Sequence, residues 1–225
     1  MLIQVETTQQ RSLKRTIGAI EAEVGKGQRE ELIASWVRSI DLADILSTIV
    51  DLVGLGKRIN QHELATDISL RLIRRWAQSD VSTVSKWVQQ LPQGQLRRDA
   101  LLAVAVAWAN SSLSEAMDWA RQLPEMAEQQ AVLFLIANEA VPHDPVVALR
   151  LATELPVDER WMDLVRRSAW KWAANDGEQA LNWARQIQDE PFRNQVLASM
   201  TVAISEHDPA SAANLALTEI PFGQA

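Results

Sequence analysis

Three histidines and one glycine-lysine stretch come nearest to residues that could do chemistry. His143 and His207 each stand in a His-Asp-Pro turn, 64 positions apart, and His62 stands alone. Neutral imidazoles are common zinc ligands, but zinc needs its nitrogens within about 2 Å. If each 32-residue unit of the chain is a helical pair, stacking advances by about 10 Å per unit, so these two imidazoles lie about 20 Å apart. They cannot share an ion within one chain. The same turn position holds Ser79, Ser111 and Asn175, so polar turn chemistry accounts for both histidines.

The stretch VGLGKR, Val53 to Arg58, has two glycines and a lysine. A phosphate-cradling loop needs an earlier glycine, a Lys-Ser/Thr ending and a preceding strand, and none is present. The stretch reads instead as part of a loop over 53–63 that lengthens one hairpin and could carry a contact. Carboxylates cluster at two turns: Glu154, Asp158 and Glu159 beside Arg160, then Asp189 and Glu190 one unit on. They are either solvated turns or an acidic edge for a basic partner, and they are the candidate partner contacts. No nucleophile-base pair, paired acid and base, or metal cluster is recognisable. No catalytic, cofactor-binding or metal-binding residue is therefore assigned, no cofactor is expected, and the chain does not read as an enzyme.

Tryptophan is the unusual component, with nine among 225 residues beside three Phe and no Tyr. Six of the nine fall in two columns eleven residues apart, as Trp76/Trp87, Trp108/Trp119 and Trp172/Trp183. The same columns hold Ala140/Leu151 and Ile204/Leu215, so Trp is kept at both or lost at both. That coupling is what a direct contact would produce: one indole removed leaves space that the other cannot fill. The unit lacking both carries Trp161 and Trp170, expected to refill that volume. The other reading is a stacking surface for a peptide or sugar. Packing is the better account, because both columns follow the apolar stripes.

The elements that must position these residues recur every 32 positions. The first column is Asp80, Ser112, Asp144, Asp176 and Asp208, all residues that cap helix N-termini. Pro145 and Pro209 follow, where proline suits a first helical turn. Four residues after each cap come Val84, Ala116, Ala148, Ala180 and Ala212, small enough for close helix approach. Leu91-Pro92, Leu123-Pro124 and Leu155-Pro156 end the first helix of their units. A second helix then carries apolar stripes such as Val132, Leu133 and Ile136 and leads to the next cap. Before residue 80 the chain is less regular: helices near 9–24, 29–40, from 42 (with Asp41 as N-cap) and near 62–77. The expected domains are thus 1–79, irregular hairpins with the 53–63 loop, and 80–225, regular repeats ending mid-repeat. Strand signals are absent, and the expected class is all-α.

The pattern W-A-x2-D-x3-A-x2-W-x3-L-P over roughly 76–225 resembles the bacterial tandem helical-hairpin repeats, TPR-like and HEAT-like α-solenoids. The period departs from the 34 residues of the usual TPR unit, and no Tyr fills that motif's aromatic slot. The resemblance implies a non-catalytic scaffold that binds a protein or peptide along the solenoid groove. Two other readings stay open: a helical enzyme or its accessory domain, and a structural spacer within a longer protein. If the array does recognise a partner, the residues that vary between units should do so, not those that recur.

Charge restricts the partner. Residues 1–75 carry 11 basic and 10 acidic residues, and the rest carry 11 basic and 19 acidic, giving a net charge of −7. An acidic array repels phosphate backbones, so nucleic acid is not an expected partner. The longest apolar run, Ala100 to Ala109, is too short for a bilayer, and no membrane insertion is expected. The N-terminal residues lack the apolar core of a signal peptide, which points to the cytoplasm. The last residues, Ile220 to Ala225, match Leu91 to Leu96 with one extra residue in the preceding helix. The chain is therefore expected to be a fragment, or to have its last hairpin completed by a partner.

Overall fold

A computed structural model describes residues 8–59 and 62–220. Among these residues the regular elements are all helical, thirteen α-helices and one 3-10 turn, with no strand. The expected all-α class is the class found. No helix among them is long and apolar enough to cross a membrane. The turn expected at the end of the chain falls on 221–225, outside the described residues. Two compact units divide between Ala107 and Trp108.

The first unit contains α1 (Thr8–Ala22), α2 (Lys26–Ser39), the 3-10 turn Leu42–Asp44, α3 (Ile45–Ile59), α4 (His62–Ser79), α5 (Val81–Val88) and most of α6 (Gln95–Ser111). Helix α4 packs against α2, α3 and α5. Its Ile68, Leu72 and Ile73 are fully buried, as are Ile45, Ile49 and Leu52 of α3. Helix α2 ends on carbonyls with no helical partner. Arg75 of α4 satisfies two of them, donating to the carbonyls of Val37, at 2.7 Å, and Ile40. Arg71 holds Glu30 of α2 at 2.7 Å and Asp67 of its own helix at 2.9 Å.

Two expectations for this unit are corrected. The loop over 53–63 is helical up to Ile59 and again from His62, and only 60 and 61 fall outside the described residues. Gly54 and Gly56 are interior to α3. Each glycine costs a helix about 1 kcal/mol. Burial of Leu52 and Leu55 on the same helix outweighs that cost, since a buried leucine contributes about 1.5–3 kcal/mol. Asp41 precedes the 3-10 turn, but its side chain makes no capping bond there.

The second unit holds the end of α6, then α7 (Leu113–Arg121), α8 (Met126–Ala140), α9 (Pro145–Ala152), α10 (Glu159–Asn175), α11 (Gly177–Ala184), α12 (Glu190–Ser205) and α13 (Pro209–Glu219). From α7 onward each helix packs on the next, and α10 also packs on α12. Short and long helices alternate from α7 to α12. The short ones bury Ala116, Ala148 and Ala180 completely, which allows the close approach their size predicts.

Chain reversal from a long helix to a short one takes a single residue after α4, α6 and α10, four residues after α8 and three after α12. In the second unit, the amide N–H of Asp144 donates to the O of Ala140, the last residue of α8, at 2.7 Å, closing the turn over 141–143. The Asp144 carboxylate then accepts the N–H of Val147 at 3.1 Å, opening α9. Asp176 does the same between Trp172 and Gln179, and Asp208 between Ile204 and Ser211. Ser112 follows with a longer cap bond of 3.5 Å to Glu115. In the first unit Asp80 joins α4 to α5 through Trp76 and Thr83. One residue thus satisfies a carbonyl acceptor at the end of one helix and an N–H donor at the start of the next, which keeps the connections short.

Candidate functional site

The paired tryptophans lie ring to ring. Ring centroids are 5.6 Å apart for Trp76–Trp87, 5.5 Å for Trp108–Trp119 and 5.3 Å for Trp172–Trp183, with tilted planes. Tilted contact at this distance is a favoured arrangement of aromatic quadrupoles. Trp119 and Trp172 are buried, at 6% and 9% exposure, and the other four are half-buried. Trp108 donates its Nε1–H to Glu115 at 3.1 Å. The Nε1–H of Trp119 is buried without a partner among the described residues. These indole faces are spent on each other rather than offered as free stacking platforms.

The hairpin lacking both column tryptophans is filled differently from expectation. Trp161 is buried, donates Nε1–H to Ala152 O at 2.8 Å and meets the Phe192 ring in a tilted contact at 5.5 Å. Trp170, the other expected filler, lies at the surface, 37% exposed. Nine residues of helix turn through about 900°, which sets the two indoles on opposite faces of α10.

The acidic turns are largely occupied within the chain. Glu154 takes both Nε and Nη2 of Arg121, at 3.0 and 2.7 Å. Asp158 caps α10 through the N–H of Trp161 at 2.8 Å and also meets Arg160. The Trp161 N–H, then Arg160, hold the Asp158 carboxyl below the usual carboxylate range. Asp189 caps α12 through the N–H of Phe192 at 2.8 Å. Glu159 and Glu190 stay exposed in the first turns of α10 and α12, where negative charge suits the helix dipole. His62, His143 and His207 are exposed and lie in separate turns or helix ends. Among the described residues no group of three or more His, Asp or Glu could hold a metal.

A cavity of about 330 Å³ in the first unit is walled by Ile49, Val53, Trp87, Leu91 and Pro92, with His62 and Arg97 at its lining. Arg97 is committed to the backbone, donating to the carbonyls of Gln89 and of Leu91, the latter at 3.0 Å. The cavity therefore offers no set of converging ionisable groups.

The outward faces of the second unit are unlike one another. The short helices α7 and α11 turn out polar side chains, such as Glu115 and Asp118 or Glu178 and Asn182, whereas α13 exposes Leu217 at 67%. The long helices leave apolar ones in solvent: Met162 at 46% and Trp170 at 37% on α10, and Val202 at 60% on α12. On α10 these stand among charges. Asp163 is gripped by Arg166 and, at 2.9 Å, by Arg167. Arg166, then Arg167, hold its carboxyl low. Arg167 reaches on to Asn138 of α8, and Arg160 lies over the Phe134 ring of α8 at 5.1 Å. Sequence reasoning missed this face, although the helical angle separating Trp161 from Trp170 was there to find it.

No protein-family model, curated protein or solved structure matches the chain. The fold defines an all-helical protein, and the functional reading rests on its own surfaces.

Proposed function

We propose that the chain is a protein-interaction module, an α-solenoid of helical hairpins with a 32-residue period that binds a protein or peptide and does no chemistry itself. The joints at Asp80, Ser112, Asp144, Asp176 and Asp208 support that architecture, since the same capping geometry returns at each. The observation that carries the function is the division of labour between recurring and varying positions. Recurring residues, such as Ala116, Ala148, Ala180 and the indole pairs, are consumed in packing. Of the varying set Asn138, Trp170 and Val202, one on each of α8, α10 and α12, Trp170 and Val202 are exposed, while Asn138 is half-buried and bonded to Arg167. Large apolar side chains left in solvent among charges are typical of contact surfaces, where Trp and Arg dominate binding energy.

Affinity capture with the intact chain, followed by titration of the purified captured protein, tests this reading. It predicts a saturable complex and no chemical change in the partner. Absence of any saturable protein ligand, or turnover of a captured substrate, would overturn it.

A further inference from the structure

We infer that the outward face of α10 docks an acidic, amphipathic segment of a partner protein, with Trp170 as the anchor; this rests on the interaction-module reading above. The face is built in strips. Met162, Arg166 and Trp170 succeed one another at four-residue spacing and form one exposed row. Beside it run Asp163, Arg167 and Lys171, which border α8 through the Arg167–Asn138 bond. Helix α12 packs on α10 and carries the exposed Val202.

Charge selects the occupant. Between Glu128 and Glu139 α8 has no charged residue, and between Arg193 and Glu206 α12 has none. The central helix supplies the field, and there Arg166, Arg167 and Lys171 outnumber Asp163. A basic ridge flanked by neutral, partly apolar helices sits on a chain of net charge −7. A complementary segment offers carboxylates to the ridge and apolar side chains to Trp170, Met162 and Val202. Arg166 is 63% exposed and already leans on Asp163, so an incoming carboxylate can share its guanidinium without rebuilding the surface. Nucleic acid and anionic lipid also carry negative charge, but the acidic remainder of the chain repels an extended polyanion and leaves a short peptide unaffected.

Two synthetic helical peptides with one leucine stripe, flanked by Glu in one and by Lys in the other, test the inference by fluorescence anisotropy on the intact chain. An oligothymidylate and anionic phosphatidylserine vesicles serve as further probes. The Glu peptide should bind, more weakly at higher salt. Both Trp170→Ala and the pair Arg166→Glu with Lys171→Glu should weaken it about tenfold or more. Glu178→Ala, on the outward face of α11, should leave binding unchanged. Circular dichroism should show all variants folded, since these side chains are not in the core. Equal binding of the Lys peptide, no binding of the Glu peptide, indifference to both α10 substitutions, or preference for the oligonucleotide or vesicles would overturn the inference. The module reading fails separately, in the capture experiment: a captured protein whose binding ignores Trp170→Ala would leave that reading standing and move its contact elsewhere.

Discussion

Arg121, the last residue of α7, holds Glu154, just beyond α9, through two near-parallel bonds: Nε to Oε2 at 3.0 Å and Nη2 to Oε1 at 2.7 Å. Arg185 holds Glu219 of α13 in the same forked manner, with Nη2 to Oε1 at 2.7 Å. Each strap joins the ends of successive short helices in the second unit. The fork fixes geometry, yet both partners are substantially solvated, which limits the energy. A double-mutant cycle on Arg121→Ala and Glu154→Ala, read by urea unfolding, should give a coupling of about 0.2–1 kcal/mol that shrinks with salt. A coupling that salt leaves untouched would contradict the solvated-strap account.

The capping aspartates make stability depend on acid. The hydroxyl and N–H of Thr83 hold the Asp80 carboxyl below its ordinary value, and those of Ser211 do the same for Asp208. A carboxyl depressed in the folded state contributes fully above the unfolded pKa, about 3.9, and loses that contribution as pH falls through the folded pKa. Thermal melts should therefore be level from neutral pH down to about 5 and drop below about 4. Asparagine caps as well as aspartate but does not titrate, so Asp80→Asn with Asp208→Asn should melt normally at neutral pH and lose less on acidification. An unchanged acid limb in that variant would show that other carboxylates control it.

The tryptophan pairs should behave as core. Trp119→Ala should cost about 3–5 kcal/mol, as large-to-small changes in packed interiors do. Trp119→Phe keeps ring contact with Trp108 and removes an indole N–H that has no acceptor, so it should cost well below the alanine change. Denaturant titration of both variants separates the two effects. Equal losses would mean that the indole N–H, not ring volume, matters.

Gly54 offers a direct check on α3. A methyl group built there meets nothing within 4 Å, and the position is exposed. Gly54→Ala should stabilise the protein by about 0.4–1 kcal/mol if α3 is continuous. Gly94, at φ 155°, should respond oppositely, because alanine rarely adopts that backbone. A destabilising Gly54→Ala would restore the loop that the sequence suggests.

Local chemistry made part of this fold legible. Capping needs only one side chain and an N–H three residues on, so Asp80, Asp144, Asp176 and Asp208 could be placed from their own neighbourhoods. The α3 glycines misled because burial of Leu52 and Leu55, decided by other helices, outweighs local propensity. Surface roles were the least legible. Glu154 looked free until Arg121, 33 residues earlier, was seen to fold onto it. Trp170 looked like filler because composition does not tell which face of α10 meets α8 and α12.

On the proposal above, recurring residues build the protein and the varying Trp170 anchors its partner. Isothermal titration of the purified captured partner into the intact chain and into Trp170→Ala tests it most directly. The variant should keep its melting temperature and bind about tenfold or more weakly. Undiminished affinity, with the variant fully folded, would contradict it.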